Sequence, residues 1–137
     1  MIRESSNGEQ DRMTAEQFRS IALALPDAEE REHMGHPDFR VGGRIFATLG
    51  YPDGEWAMVK LYPDQQRDFM ALAPKMFSPV RGEWGRQGCT SVRLKTATQA
   101  RVKIALYAAW RNATVKAAKK SLEAPAKAKR RRTAAAV

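Results

Sequence analysis

The sequence predicts an α+β domain in which helices pack on one face of an antiparallel sheet. Three observations lead there. Short apolar runs at residues 39–41, 44–49 and 56–61 form a meander, and Gly42 and Gly43 sit between the first two. Helical spacing of apolar residues precedes this meander, at Phe18, Ile21, Ala22 and Leu25, and returns in a long stripe at Val102, Ala105, Leu106, Ala109, Trp110 and Ala113. The resulting order is helix, strands, helix, strand, helix, which suits helices segregated to one side of a sheet.

Residues 1–12 are polar, without periodic apolar positions, and are expected to form a flexible leader. Thr14 and Gln17 then make a capping box, flanked by Met13 and Phe18 as a hydrophobic staple, and Pro26 stops the helix that follows. Residues 30–34 are a candidate strand. The pair Gly42 and Gly43 reads as a tight hairpin turn, because both central positions of a primed turn need positive φ. It does not read as a phosphate loop, since no helix start follows to present backbone N–H groups to an anion. The segment PDGE before Trp56 marks a second turn, and residues 56–61 alternate as a strand. Pro63 opens a helix that Pro74 closes. A loop with Pro79, Gly82, Gly85 and Gly88 leads to a strand over residues 89–95, and Thr96 or Thr98 caps the last helix. The domain so delimited spans residues 13–114.

A chain of 137 residues is one ordinary domain, and no run of eighteen apolar residues is present to cross a bilayer. The opening MIRESSNGEQDR lacks the apolar centre of a secretory leader, and Cys89 is the only cysteine, so a reducing cytoplasm is the expected compartment. The net charge is +9, but eight Lys and Arg against Glu123 place +7 of it beyond Thr114, leaving +2 for residues 1–114. That segment, residues 115–137, is dominated by Ala, Lys and Arg, and is expected to be a disordered basic arm with too little apolar surface to repay ordering.

Few residues suggest chemistry. His33, His36 and Asp38 could supply metal ligands, but Gly35 and Pro37 break the helix that would make the histidines converge, so turn histidines bonded to backbone are the simpler reading and no metal is expected. Cys89 falls on a strand, where a small buried hydrophobe is a better description than a nucleophile. Glu29, Glu30 and Glu32 fit a solvated strand end. No catalytic motif emerges, and neither enzyme activity nor a cofactor is expected. What stands out is basic and aromatic: Arg81, Arg86, Arg93 and Lys95 interleave with Trp84, while Trp56 and Lys60 share a strand face. An open sheet face could offer these to phosphates and bases. Alternatively, and more simply, Trp84 plugs the core edge and the arginines are solvated. The hairpin leaves a similar choice. Phe39, Val41 and Phe46 fall on one face and Ile45, Ala47 and Leu49 on the other, so it is either buried on both sides or exposes a patch to a partner.

The ordered set HPDFRVGGRIFATL, WAMVKL, YPDQQ, WGRQGCTSVRL and AAWRNA resembles the MmcQ/YjbR-like family of small bacterial proteins across residues 13–114. The resemblance implies a compact fold with an antiparallel sheet, likened to the bacterial frataxin fold, and a DNA-binding role. It points to Arg40, Arg44, Trp84, Gly85 and Arg86 as the positions to test, and it implies an aromatic residue where this chain has Cys89. The basic arm lies outside the family domain and is similar in composition to the arms of histone-like proteins.

Together these readings give a cytoplasmic, nucleoid-associated DNA-binding protein that grips double-stranded DNA with low sequence specificity. The expected contacts are Lys116, Lys119, Lys120, Lys127, Lys129, Arg130, Arg131 and Arg132 of the arm, with Arg40, Arg44, Trp84, Arg86 and Arg93 of the domain. The alternative is a non-enzymatic module for a protein partner or small ligand, with the arm as a solubilising end.

Overall fold

Thr14 caps the first helix as the sequence predicts: its hydroxyl accepts from the Gln17 N–H at 3.1 Å while the Gln17 side chain accepts from the Thr14 N–H at 3.0 Å. A computed structural model describes the backbone of residues 13–136 and the side chains of all these residues except Ser121 and 123–136. The box launches α1 (Ala15–Leu23), which buries Phe18 and Ala22. The expected leader lies outside the described residues.

Six antiparallel strands follow: β1 (Glu29–His33), β2 (His36–Val41), β3 (Arg44–Leu49), β4 (Trp56–Lys60), β5 (Phe77–Pro79) and β6 (Cys89–Arg93), in the spatial order β1-β2-β3-β4-β6-β5. Gly42 and Gly43 take φ of 58° and 78°, so the β2–β3 turn has the positive angles that the glycine pair requires. Helix α2 (Pro63–Leu72) starts on its proline and packs by β5, where the Phe69 and Phe77 rings lie 5.2 Å apart. A four-residue helix, α3 (Glu83–Arg86), and strand β5 occupy a stretch that reads as loop in the sequence; β5 has only three residues, too few for an alternating pattern.

The hairpin resolves into one buried face by means of a bulge. Phe39 pairs with Ala47 and Arg40 with Ile45, so Phe46 is the extra residue. Phe46 and Ala47, adjacent in sequence, are therefore both buried with Phe39, Val41 and Leu49, while Ile45 remains half-buried. Strict alternation could not anticipate this.

The closing helix α4 (Gln99–Ala136) lays Val102, Ala105, Leu106, Ala109 and Ala113 on the sheet, all buried, and the Trp110 indole N–H donates to the Pro26 carbonyl at 2.9 Å. Its helical backbone runs past Thr114 to Ala136. Ala, Lys, Leu and Glu are strong helix formers, so residues 115–124, ahead of Pro125, can prolong a helix already nucleated by packing although they cannot build a core.

Candidate functional site

A cleft of about 410 Å³ opens where the end of β4, the β2–β3 turn, α3 and the second half of α4 meet. Five basic residues line it: Arg40, Arg44, Lys60, Lys116 and Lys120. No aspartate or glutamate is among the lining residues. The repeat that packs α4 on the sheet creates this asymmetry. Ala109 and Ala113 face the sheet, and one and two turns further on the same side carries Lys116 and Lys120, beyond the edge of the apolar core.

Each cation is held differently. Arg40 is anchored on the buried carboxylate of Asp38 by bonds of 2.8 and 3.0 Å, and the pairing holds Asp38 below the usual carboxylate range and raises the guanidinium further. Arg44 has no such anchor: its Nε is buried without a hydrogen-bond partner. Lys60 Nζ lies 5.6 Å from the centre of the Trp84 ring, and Lys116 Nζ lies 5.5 Å from that of Tyr62, so two aromatic faces orient the two ammonium groups.

The backbone beneath these side chains is tightly tied. The Gln66 amide donates at 3.0 Å to the carbonyls of both Gly85 and Cys89, fixing α3 and the start of β6 to α2. Gly88 lies against the backbone of Leu61 and Tyr62 and Gly85 against that of Val80, with no room for a Cβ at either. The Asn112 amide donates to Gln65 Oε1 at 2.7 Å and reaches the Lys60 carbonyl at 3.4 Å, joining α4 to α2 and to the end of β4. Cys89 lies at the floor; burial pushes its thiol up, opposed by the field of Lys60 and Lys116.

Of the residues the sequence singles out, the fold gathers Arg40, Arg44, Trp84, Lys116 and Lys120 at the cleft. Trp84 is 61% exposed, which rules out the reading as a core plug and leaves its indole on the rim. Arg86 turns away to Glu83 at 3.2 Å, and Arg93 stands over the Trp56 ring at the other end of β4 and β6 from Lys60. Lys119 is exposed on α4 outside the lining, and the side chains of Lys127, Lys129, Arg130, Arg131 and Arg132 lie outside the described residues. The sequence reading assigns no site role to Tyr62, Gln87 or Asn112, although Asn112 interrupting the apolar stripe of α4 is a detectable signal. His33 bonds to Asp38 at 2.7 Å and His36 rests edge-on to Tyr51, so the two histidines serve separate contacts. Among the described residues no cluster of His, Cys, Asp or Glu is placed to hold a metal ion.

These features define an α+β domain with an open antiparallel sheet and a cationic cleft at one sheet end. The chain belongs to the YjbR family, whose model matches residues 23–112. Among solved structures it is similar to Deinococcus radiodurans protein DR2400, a DUF419-domain protein, with a TM-score of 0.60 at 18% identity over 72% of this chain and 77% of that one. That likeness is one of fold. No curated protein sequence matches. No helix of the described residues is long and apolar enough to cross a membrane.

Proposed function

We propose that this protein is a non-catalytic DNA-binding protein of the nucleoid, which holds double-stranded DNA through its phosphates without reading base sequence. One observation carries the reading: five basic side chains, of which only Arg40 has a carboxylate partner in Asp38, converge on a cleft whose lining contains no carboxylate. Such a concentration of like charge is costly in the free protein and is relieved by a polyanion that releases its counterions on binding. Helix α4 extends the same charge sign, since beyond Lys120 the chain carries five more Lys and Arg against a single Glu. The lysines are flexible point charges suited to phosphates at any position along a duplex. A raised Cys89 thiol and a His33 occupied by Asp38 speak for binding rather than for nucleophilic chemistry.

The test is a binding titration of the full chain on two duplexes of unrelated sequence from about 50 to 200 mM salt. Similar affinities that fall steeply and in parallel with salt support the reading. Failure to bind either duplex at low salt defeats it.

A further inference from the structure

The cleft encloses more space than duplex binding needs. A duplex is too wide to enter 410 Å³ and would lie across the rim, yet this volume falls within the roughly 300–1,000 Å³ usual for small-molecule sites. We propose that the cleft is a built site for a phosphomonoester joined to a nucleobase, either a free nucleoside 5′-monophosphate or the 5′-phosphorylated end of a strand. The proposal rests on reading the cleft as an anion site.

The phosphate end follows from Arg44, Lys60 and Lys116. Arg44 makes no ion pair among the described residues, and its Nε is buried without an acceptor, so packing alone positions a guanidinium that has no internal counter-charge. A planar fork of this kind matches two phosphate oxygens, and an ammonium on each flank matches the remaining charge of a dianion. An internal phosphodiester carries one charge and continues in both directions, so it suits the rim; a terminal phosphate carries close to two and has one attachment, so it suits the floor.

The ring end follows from Trp84 and Tyr62, exposed by 61% and 39% at the mouth. Lysines hold one side of each ring, which leaves other aromatic surface for a base to stack on. Gln87 also lines the mouth, and its side chain makes no hydrogen bond among the described residues, so its amide is free to meet a base edge. A simple inorganic anion would use only half of this arrangement.

Calorimetric titration of the full chain with AMP, ribose 5-phosphate and adenosine separates the two halves. AMP is expected to bind about tenfold or more tightly than either fragment, because stacking and phosphate contacts both count. Arg44→Lys should lose most of the AMP affinity, and Lys116→Gln, an exposed side chain whose change in stability a parallel thermal scan reads, should weaken AMP and ribose 5-phosphate alike. Trp84→Ala should bring AMP down to the level of ribose 5-phosphate. Oligonucleotides with a 5′-phosphate or a 5′-hydroxyl, run in competition with AMP, decide the source: displacement by the phosphorylated strand alone assigns strand ends, and displacement by neither assigns free nucleotides. Equal binding of AMP and ribose 5-phosphate, or no binding of AMP, overturns the proposal. If AMP fails while duplexes still bind with a steep salt dependence, only the monoester site is lost; if duplexes fail as well, the DNA-binding reading falls with it.

Discussion

Gly42 in the β2–β3 turn lies so close to α4 that a Cβ built on it would fall 2.5 Å from the Cβ of Ala117. The hairpin turn and the helix beyond residue 114 are therefore fitted to each other, and this contact fixes where Lys116 and Lys120 stand over the cleft. Gly43 is different: it also has positive φ, but a Cβ there meets open space.

The two glycines should accordingly separate in mutants. Gly43→Ala is expected to cost about 1–2 kcal/mol, the penalty of a left-handed backbone for a residue with a Cβ. Gly42→Ala should cost more, because the same penalty is joined by a collision with α4, and it should also weaken duplex binding. Ala117→Gly placed on Gly42→Ala should restore part of the loss, since it removes the atom that is struck. Thermal unfolding of the three variants checks this, and a double-mutant cycle with no coupling between positions 42 and 117 would contradict the docking of the helix.

Asp38 yields a prediction in pH. Its carboxyl is fully buried and is held below its ordinary range chiefly by the Arg40 bonds, with His33 adding to the effect. A lowered folded-state value means that the ionised form stabilises the fold at pH above the ordinary carboxylate value of about 3.9, and that this contribution is lost as pH falls through the depressed value. Asp38→Asn should therefore destabilise by about 1–3 kcal/mol near neutral pH, where it removes charge-assisted hydrogen bonds. The gap to the parent should close in acid. Urea unfolding across pH measures it, and a gap that stays constant into acid would show that charge is not the cause.

Trp84 gives a third. An indole so exposed contributes little to the core, so Trp84→Ala should leave the melting temperature nearly unchanged while weakening the binding of AMP, whose base would stack on it, by about 1–3 kcal/mol. Paired thermal scans and calorimetric titrations decide it, and a large drop in melting temperature would return Trp84 to a structural role.

Much of the scaffold was legible because local chemistry dictated it. The Thr14 box, the glycine pair at 42 and 43, Pro63 at the start of α2 and the stripe from Val102 to Ala113 are short-range signals, and each element stands where its signal lies. The misses are long-range. The bulge at Phe46 depends on how β2 and β3 pair, not on either strand alone. Helix α4 outlasts its apolar stripe because the hairpin turn offers Ala117 a seat, which no count of Lys and Ala reveals. The cleft likewise needed tertiary structure: Arg44, Lys60 and Lys116 are separated by 16 and 56 positions in the sequence and meet only when β4 ends beside α4. Arg86 and Arg93, close to Trp84 in the sequence, point elsewhere because of a helical turn and a strand end.

The last prediction concerns where the basic segment stops being structural and becomes only charge. Lys116 rests on Tyr62 and Ala117 on Gly42, so removing everything after Thr114 deletes part of the docked helix along with the charge. Removing everything after Lys120 spares both contacts while still deleting Lys127, Lys129, Arg130, Arg131 and Arg132. The chain cut after Lys120 should therefore unfold at the same temperature as the full chain, and the chain cut after Thr114 at a lower temperature. In duplex binding, if about half of those five residues meet phosphates at once, the slope of log K against log salt should become shallower by about 2 for the cut after Lys120, at roughly 0.9 per contact. The cut after Thr114 should flatten it further by about another 2, because Lys116, Lys119 and Lys120 leave as well and about two of the three meet phosphates at once. Binding to the monoester probe should follow a different pattern: intact after the first cut, lost after the second, since the cleft keeps its two helix lysines in one truncated chain and not in the other. Identical salt slopes for all three chains would mean that α4 does not carry the DNA contacts, and would leave Arg40, Arg44 and Lys60 as the residues to test.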